Sequence, residues 1–396
     1  MNRLAILGGI PAFSDWQLLI KPSMPPLSAI SERLRQIHDS VFITNGRFNR
    51  LLEDTFCKQM NVSHAVSASN ATIGLMLALK ALAQNGRDEV ILPSFTFAAT
   101  GLSVLWNGLK PVFADIDPNT KNLDPAKVIP LITDRTLAIM PVYIFSNPPD
   151  IEAFDRISVQ YGIPIIYDAA QGMGSSYHGQ PAGSFGDIEV FSLAPTKIVT
   201  AVEGAIISTR NPSLANELRV LRDMGKTGEY DFDEMGLNAR MTEYQAVIAL
   251  YNLERLDIYL KHRRELVQIY QQNLKDIPGL SFQSITPASQ SGYNYMVLFI
   301  DPDLFGLSRD QLNDILCVEN IQTKKYFYPA LHFMKPFQKF CSINLIETER
   351  TADSGLALPL YNTLDPDVVL RICALIADVY ENRTELQSFF NQRGTR

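Results

Sequence analysis

Two kinds of hydrophobic pattern alternate along residues 31–210. Short runs rich in β-branched and other apolar residues are typical of buried strands, and they include DEVILP, KPVFA, LAIMPVYIF, PIIYD, IEVFSL and GAIIST. Segments with apolar residues at helical spacing lie between these runs, for example SAISERLRQIHDSV and NATIGLMLALKALA. Strands separated by helices indicate βα units, so this part of the chain is predicted to form an α/β fold with a mostly parallel sheet.

The pattern changes in the second half of the chain. Residues 242–275 carry apolar side chains at i+3 and i+4 spacing and predict one long amphipathic helix. Beyond it come a strand-like run NYMVLFID, a helix near 308–319, a second strand-like run IQTKKYFYP and a last helix over about 365–382. The Pro-rich start of the chain is typical of an irregular arm. We therefore expect an N-terminal arm (1–30), a large domain (31–261) and a smaller C-terminal α+β domain (262–396).

The composition is that of a folded globular protein, with 46% hydrophobic and 19% charged residues. The net charge of −7 argues against a bulk affinity for nucleic acid or anionic membranes, although a local phosphate pocket remains possible. No apolar run approaches the roughly 20 residues that span a bilayer. The N-terminal apolar patch stops at Gly8 and Gly9, too soon for a signal-peptide core. A cytoplasmic protein is expected.

The cysteines and histidines give no metal or disulfide pattern. Cys57, Cys317, Cys341 and Cys373 lie far apart and form no CxxC pair or Cys/His cluster. Reduced thiols are therefore expected. His178 has no carboxylate or second histidine at ligand spacing, so no metal site is predicted.

A carboxylate and a lysine follow two of the predicted strands. Asp168 ends the run PIIYD, and Lys197 follows IEVFSLAPT. The carboxyl ends of parallel strands meet at one edge of a sheet, where α/β proteins bind ligands, so both side chains are expected in one crevice. A partly desolvated lysine amine can attack an aldehyde to form a Schiff base. A carboxylate opposite can hold a protonated pyridine nitrogen.

The start of a predicted helix supplies a candidate anion site. Ser69, Asn70, Ala71 and Thr72 lie at the start of the apolar helix, so free backbone N–H groups and small side chains face one spot. Ser192, near the end of a strand, can add a hydroxyl donor to a phosphate.

Each of these residues also has an ordinary structural interpretation. Asp168 by itself fits a helix N-cap, and the residues around Ala71 fit a capped helix without a ligand. Phe97 follows another strand end and can stack on an aromatic ligand, although a core position is the simpler interpretation for a single phenylalanine.

Taken together, these residues resemble the DegT/DnrJ/EryC1/StrS family of pyridoxal-phosphate-dependent sugar aminotransferases. The resemblance covers nearly the whole chain and is carried by several segments in order: TNGRF, SNATIGLMLAL, DEVILPSFTFAAT, KPVFADIDPNTKNLDP, YDAAQGMGSSYHGQPAGSFGDIEVFSLAPTK and GLNARMTEYQAVIAL. It implies the type I fold of pyridoxal-phosphate enzymes, as in aspartate aminotransferase. That fold has a large, mostly parallel-sheet domain and a smaller C-terminal α+β domain.

The resemblance also implies a role for each candidate residue. Lys197 becomes the Schiff-base lysine and Asp168 the partner of the pyridine nitrogen of pyridoxal 5'-phosphate. Gln171 becomes the neighbour of the cofactor's phenolic oxygen, and Phe97 the residue that stacks on its ring. The phosphate ligands become Ala71, Thr72 and Ser192, with Asn238 reaching the phosphate from the neighbouring subunit. A homodimer with shared active sites is therefore expected.

The substrate is expected to be a nucleotide-linked keto sugar. LAILGGIPAF, NATIGL, YNYMVLFID and TKKYFYPALH resemble family members of the desosamine and viosamine pathways. Those enzymes aminate dTDP-4-keto-6-deoxy-D-glucose to dTDP-4-amino-4,6-dideoxy-D-glucose, and the resemblance implies L-glutamate as donor. KKYFYP also resembles enzymes that act on dTDP-3-keto-6-deoxyhexoses, so amination at position 3 stays open. The candidate sugar-nucleotide contacts are Lys325, Tyr326, Tyr328 and His332, with packing under the small domain as the alternative.

Three other functions are each disfavoured by a feature of the sequence. A regulator that binds pyridoxal phosphate without catalysis is expected to lack one of the catalytic residues or to carry a basic DNA-binding domain, and this sequence shows neither feature. Family members that dehydrate deoxysugars have histidine where this chain has Lys197. A nicotinamide-binding protein predicts a GxGxxG sequence after an early strand, and none is present.

Overall fold

The computed structural model describes residues 3–341 and 343–393. The strands of its first half are β1 (His64–Ala68), β2 (Glu89–Pro93), β3 (Lys110–Ala114), β4 (Thr136–Ile139), β5 (Ile166–Asp168), β6 (Ser176–Tyr177), β7 (Gln180–Pro181), β8 (Ile188–Ser192) and β9 (Ala205–Thr209). Seven of them form a central sheet in the order β3-β2-β4-β5-β8-β9-β1, because parallel bridges join the edges of a three-stranded and a four-stranded sheet.

The sheet is mostly parallel, as the pattern predicted. Strands β3, β2 and β4 run parallel to one another, and β5 runs parallel to β8. Only β9 is antiparallel to its neighbours β8 and β1 within the described sheet. The chain returns from Ser192 to Ala205 without a crossover helix, and such short returns produce antiparallel pairs. Lys197 lies in this return.

Helices cover both faces of the sheet because alternate strand residues point to opposite faces. Val190 and Ile207 belong to one apolar cluster, whereas their chain neighbours Phe191 and Ile206 belong to another. The helices of the first half are α1 (Leu27–Ser40), α2 (Arg47–Met60), α3 (Ala71–Ala81), α4 (Ala98–Trp106), α5 (Pro125–Val128), α6 (Ile151–Tyr161), α7 (Pro212–Arg222) and α8 (Glu243–Leu253). Helices α3, α4 and α7 pack on one face, and α2, α6 and α8 on the other.

The prediction of one helix over residues 242–275 is wrong. Helix α8 ends at Leu253, and α9 (Leu256–Leu274) begins after a short turn. In that turn the Arg255 amide donates to the Asn252 carbonyl, while the Asn252 side chain donates to the carbonyls of Ser23 and Thr200. The apolar spacing continues through the break, so the pattern alone did not reveal it.

The C-terminal part has its own antiparallel sheet. The strands and helices of this C-terminal part are β10 (Leu280–Phe282), β11 (Ser289–Gln290), β12 (Met296–Ile300), β13 (Gly355–Leu358), α10 (Pro302–Phe305), α11 (Arg309–Val318), α12 (Ile346–Ser354), α13 (Pro366–Glu381) and α14 (Arg383–Arg393). Strand β12 pairs with both β10 and β13. The predicted helices near 308–319 and 365–382 are present as α11 and α13, capped by Ser308 and Asp365.

The strand expected at IQTKKYFYP is wrong. Lys324 makes one isolated bridge with Ala357, and the Tyr328 amide then donates to the Lys325 carbonyl and closes a turn. The side chains of Tyr326 and Phe327 pack in a cluster with Phe145 instead of extending a sheet: the Phe327 ring stacks on Phe145 with centroids 5.5 Å apart. Packing therefore overrides the strand preference of these aromatic residues.

The N-terminal arm packs on the C-terminal part. Leu4 and Phe13 belong to the same apolar cluster as α9, α11 and α13. The buried carboxylate of Glu319 accepts hydrogen bonds of 2.7 Å from the amides of Ala5 and Ala12. The proposed division at residue 261 falls inside α9, and the three-part division stays a prediction.

No helix within residues 3–341 and 343–393 combines the length and the hydrophobicity that a membrane span requires. The cytoplasmic location expected from the sequence stays a prediction.

Candidate active site

Asp168 is the last residue of β5 and lies at the carboxyl edge of the sheet. Its backbone continues the sheet, because its amide donates to Pro141 (2.9 Å) and its carbonyl accepts from the Tyr143 amide (3.0 Å). The side chain is buried, with 4% of the residue exposed. Oδ2 accepts a 2.7 Å hydrogen bond from the Thr100 hydroxyl, and Oδ1 accepts a 3.1 Å bond from the Ala170 amide.

Burial raises the pKa of Asp168, and the hydrogen bonds from Thr100 and Ala170 together with the charge of Lys197 oppose that rise only in part. A buried carboxylate in this position is stabilised by a further cationic donor. A protonated pyridine nitrogen is such a donor. The surroundings of Asp168 therefore fit the ring nitrogen of pyridoxal phosphate, as the resemblance implied.

Lys197 lies in the return between β8 and β9, where its amide donates to the Ala194 carbonyl (3.0 Å). Its Nζ is 5.7 Å from the centroid of the Tyr295 ring, a cation–π arrangement. The positive charge of Lys197 acts to lower the pKa of both Asp168 and Tyr295. The expectation that Asp168 and Lys197 share one crevice therefore agrees with their position at the same sheet edge.

Tyr295 is the aromatic neighbour of Lys197. Burial raises the pKa of its phenol, but the Lys197 charge and hydrogen bonding with Thr196 and Tyr326 outweigh burial and lower that pKa overall. The phenol donates a 3.2 Å hydrogen bond to the Thr196 hydroxyl. The ring therefore stabilises a positive charge on Lys197, and the hydroxyl contacts the residue that precedes the lysine.

Gln171 lies on the loop that follows β5 and is buried. Its Oε1 accepts a 3.0 Å hydrogen bond from the Phe145 amide, and its carbonyl accepts from the Ser146 hydroxyl. The first bond fixes the orientation of the side-chain amide, and the second holds the backbone of Gln171. Its Nε2 donates to no other residue in the described part of the chain, so an N–H remains for a phenolic oxygen.

The start of α3 offers donors to a phosphate. Asn70 caps the helix by accepting a 3.0 Å hydrogen bond from the Ile73 amide. The amides of Ala71 and Thr72 donate to no acceptor among the described residues, as is usual in the first turn of a helix. The hydroxyl oxygen of Ser69 is buried and has no hydrogen-bond partner there either. An anion at this position would satisfy all three donors.

Ser192 lies beside this helix start because of the strand register. It pairs with Ala205 on β9, and Ala205 pairs with Ala68, the last residue of β1. Its Oγ accepts a 3.3 Å hydrogen bond from the Ala194 amide, which leaves the hydroxyl proton to be donated. The structure therefore places Ser192 and the first turn of α3 at the same sheet edge.

Phe97 occupies the N-cap position of α4 and is 59% exposed. An ordinary core position is excluded by this exposure. Thr100, one turn further along α4, contacts Asp168, so the exposed ring lies at the same edge of the sheet as the carboxylate. An exposed aromatic ring in this place fits stacking on a planar ligand.

Asn238 is exposed, and no hydrogen bond of its side chain is present within the described residues. Its backbone forms an isolated bridge with Asp223, and the next carbonyl, of Ala239, accepts from the Ser69 amide (2.8 Å). An exposed amide without a partner among the described residues of its own subunit fits a contact with another subunit.

The four candidate substrate residues contact different partners in the structure. Lys325 forms a 2.9 Å ion pair with Asp310, and Arg309 lies 4.8 Å from the centroid of the half-exposed Tyr328 ring. Tyr326 is linked to Lys197 through Tyr295, because the centroids of the Tyr326 and Tyr295 rings are 4.9 Å apart and the Tyr295 ring faces the lysine.

His332 makes a separate contact with the end of β2. Its Nδ1 is 2.7 Å from the Ser94 hydroxyl, and its Nε2 is 3.5 Å from Glu349. Burial lowers the pKa of this histidine, and the Glu349 carboxylate opposes that shift.

Sequence reasoning missed Thr100 and Tyr295 as functional candidates. Thr96 and Thr100 are four residues apart at the start of a helix, and their hydroxyls are 2.9 Å apart, so a polar pair on an apolar helix was an available signal. Tyr295 carried no such signal, because its contact with Lys197 depends on the position of the C-terminal part.

The comparisons with known proteins agree with this geometry. The model of the DegT/DnrJ/EryC1/StrS aminotransferase family matches residues 28–377. An Escherichia coli protein named dTDP-4-amino-4,6-dideoxy-D-glucose transaminase is 34% identical, over 90% of this chain and 96% of its own. GDP-perosamine synthase of Caulobacter vibrioides is also 34% identical, over 86% and 92%.

A solved structure is similar over almost the full length. DesI, crystallised in the presence of its TDP-sugar product, matches 99% of both chains with a TM-score of 0.93 and 33% identity. The type I fold and the family resemblance expected from the sequence are thereby confirmed. The chain belongs to the DegT/DnrJ/EryC1/StrS family of pyridoxal-phosphate-dependent sugar aminotransferases.

Proposed function

We propose that this protein aminates dTDP-4-keto-6-deoxy-D-glucose to dTDP-4-amino-4,6-dideoxy-D-glucose, with L-glutamate as donor and pyridoxal 5'-phosphate as cofactor. The observation that carries the proposal is the pairing of the buried Asp168 carboxylate with Lys197 at one sheet edge. The name of the Escherichia coli relative and the TDP-sugar product of DesI support the choice of substrate.

The cofactor is held by residues from several elements. Asp168 binds the ring nitrogen, Gln171 donates to the phenolic oxygen, and Phe97 stacks on the ring. The phosphate is bound by the amides of Ala71 and Thr72 and by the Ser192 hydroxyl, with the orphan hydroxyl of Ser69 as a further donor. When bound, pyridoxal phosphate supplies an electron sink that stabilises negative charge on the substrate carbon that loses a proton.

Lys197 has two tasks in this proposal. Its Nζ anchors the cofactor covalently, and the same amine, once displaced by the incoming amino group, carries a proton to and from the reacting carbon. Tyr295 stabilises the amine while it is protonated, because its ring faces Nζ. Asp168 keeps the ring nitrogen protonated throughout, because an ionised carboxylate nearby favours that charge.

The proposal includes a homodimer with shared active sites. Asn238 is exposed and lacks a side-chain partner in the described residues of its own subunit. Three consecutive apolar residues, Val41, Phe42 and Ile43, are also exposed. Contiguous exposed apolar surface on a globular protein is typical of an interface, so a second copy of the chain is the natural partner.

Two alternatives concern the position of amination and the nucleotide. Amination at position 3 of a dTDP-3-keto-6-deoxyhexose would use the same residues around Lys197. A GDP-linked sugar is a second candidate, because GDP-perosamine synthase is as similar in sequence as the dTDP-sugar relative.

The experiment is a product analysis. Purified enzyme with pyridoxal phosphate and L-glutamate is offered dTDP-4-keto-6-deoxyglucose, its 3-keto isomer and the GDP-linked 4-keto sugar separately, and K197A is the control. We expect the 4-amino dTDP-sugar by mass and NMR analysis, and no product with K197A. Conversion of only the 3-keto or the GDP-linked sugar would contradict the proposed substrate. If no sugar were converted, the proposed transamination would be wrong.

A further inference from the structure

The backbone on both sides of Lys197 is held by side chains from the C-terminal part. Asn294 accepts a hydrogen bond from the Ile198 amide at Oδ1 (3.2 Å) and donates from Nδ2 to the Thr196 carbonyl (3.4 Å). Asn362 donates from Nδ2 to the Ile198 carbonyl (2.9 Å). Both asparagines are buried. Three backbone groups beside the lysine therefore depend on two asparagines that are distant in sequence.

One buried arginine holds both asparagines. Arg263 on α9 donates from Nε to Oδ1 of Asn362 (2.5 Å) and from Nη1 to the carbonyl of Asn294 (3.2 Å). Nη1 also lies within hydrogen-bond distance of the carbonyls of Tyr293 (3.1 Å) and Leu360 (3.4 Å). The guanidinium thus joins the two chain segments that carry the asparagines.

Arg263 is an unusual charge for a protein interior. Only 2% of it is exposed, and no carboxylate of the described residues lies at ion-pair distance from it. Burial lowers its pKa to about 9. A buried guanidinium that faces only neutral oxygens costs stability compared with an apolar side chain, so its presence at this point indicates a specific role.

We propose that Arg263, Asn294 and Asn362, here called the lysine clamp, fix the backbone of Thr196–Ile198 and thereby set the position of the Lys197 amine. They are positioning residues, because none of them contacts Nζ. The inference rests on the proposed function, in which Lys197 must reach two positions, the cofactor anchor and the reacting carbon. A long, flexible lysine side chain can do this accurately only if its backbone does not move.

The chain offers a matched control for the clamp. Asn252 is also a buried asparagine, and its Nδ2 donates to the Thr200 carbonyl (2.9 Å) and the Ser23 carbonyl (3.0 Å). It therefore holds the same loop through a similar number of bonds, but it does not touch Thr196–Ile198. A purely structural role predicts equal effects of N294A and N252A.

Two measurements test the clamp in the full-length protein. The first is hydrogen exchange of the Ile198 amide in cofactor-free enzyme, resolved with overlapping peptides. The second is the rate of amino-group transfer from L-glutamate to the bound cofactor, measured at increasing glutamate. We expect N294A to raise the exchange rate and to lower the maximal transfer rate by about tenfold each, with the half-saturating glutamate concentration within about twofold. N252A should change each quantity by less than about twofold.

Conservative variants protect the test against misfolding. N294D keeps an acceptor for the Ile198 amide but lacks the donor to Thr196, so it should restore exchange protection to within about twofold of the natural chain. N362D keeps the contact with Arg263 but loses the donor to the Ile198 carbonyl, so it should lower the transfer rate and leave exchange protection in place. Both are nearly isosteric with asparagine.

Either of two results would overturn the clamp. One is equal loss of transfer rate in N294A and N252A, and the other is an unchanged rate in N294A despite faster exchange. Failure of the proposed function has a different signature: borohydride reduction of the natural chain would then leave no cofactor on Lys197, while the exchange measurement would still report on the clamp.

Discussion

The hydroxyl of Thr100 donates a 2.7 Å hydrogen bond to Oδ2 of Asp168, and both groups are buried. Thr100 lies in the first turn of α4, three residues after the exposed Phe97. One helix start therefore positions both the residue expected to stack on the cofactor and the donor that stabilises the ionised carboxylate.

This contact predicts the effect of T100V. Loss of the hydroxyl raises the pKa of Asp168 further and weakens its hold on a protonated ring nitrogen. We expect the dissociation constant of pyridoxal phosphate to rise by about tenfold, because a hydrogen bond to a charged group contributes about 1.5 kcal/mol. The measurement is a fluorescence or absorbance titration of cofactor-free protein.

The control for T100V is S103A, one turn along the same helix. The Ser103 hydroxyl is also buried, but it donates to the carbonyl of Thr100 and not to Asp168. S103A should leave the cofactor affinity within about twofold of the natural chain. Equal weakening in T100V and S103A would mean that the effect comes from the helix and not from Asp168.

Glu189 predicts a pH dependence of stability. This buried residue of β8 accepts a 2.6 Å hydrogen bond from the Tyr143 phenol, a 3.2 Å bond from the Phe185 amide and another from the Gly183 amide. Burial raises its pKa from 4.5 to about 7, although the hydrogen bonds oppose that shift. The folded protein therefore keeps a proton on Glu189 at pH values where the unfolded chain has lost it.

The sign of the effect follows from this difference. Between pH 4.5 and about 7 the folded state binds more protons than the unfolded state. The contribution of Glu189 to the free energy of unfolding is therefore fully present below pH 4.5 and is lost as the pH rises through about 7. The variant E189Q does not titrate. Relative to E189Q, the natural chain should lose about 3 kcal/mol of unfolding free energy over this interval, measured by urea denaturation. Parallel curves would show that Glu189 ionises normally in the folded protein.

The role of the Tyr295 ring predicts different outcomes for two substitutions. Y295F keeps the ring face toward Nζ of Lys197 and loses only the hydroxyl bonded to Thr196, so the rate of amino-group transfer should fall by less than about threefold. Y295L removes the ring, and the rate should fall by about tenfold or more. If both variants lose the same activity, the hydroxyl and not the ring carries the effect.

Shared active sites predict complementation between two defective chains. K197A lacks the anchor, and N238D places a negative charge where Asn238 is proposed to meet the phosphate of the partner's site. Each homodimer should have little activity. A heterodimer contains one site with both defects and one with neither, so an equimolar mixture that exchanges subunits should regain roughly a quarter of the natural activity. No regain after verified subunit exchange would show that Asn238 acts within its own subunit.

Much of the fold followed from local patterns in the sequence. The alternation of buried strands and amphipathic helices predicts the central sheet. Asp168 at the end of strand 166–168 and Lys197 after strand 188–192 are predicted to meet because such strand ends lie at one edge. The break between α8 and α9 could not be predicted, because apolar spacing continues through it. The aromatic run around Tyr326 resembled a strand, and only its packing against Phe145 and Tyr295 decided otherwise.

The parts of the site that escaped prediction are long-range contacts. Thr100 reaches Asp168, and Asn294 reaches Ile198, across segments that have no spacing relationship in the sequence. Such pairs depend on the strand order and on the docking of the C-terminal part. A single sequence identifies the residues that react, but the residues that position them need the three-dimensional structure.

The most direct test follows the absorbance of the bound cofactor through one turnover. Enzyme loaded with pyridoxal phosphate receives L-glutamate alone and then dTDP-4-keto-6-deoxyglucose, with K197A in parallel. The account predicts that glutamate abolishes the band of the lysine-bound cofactor and releases 2-oxoglutarate, and that the sugar restores the band as the 4-amino sugar forms. A band that glutamate leaves unchanged in the natural chain, or an equal response in K197A, would contradict the central claim that Lys197 carries this chemistry.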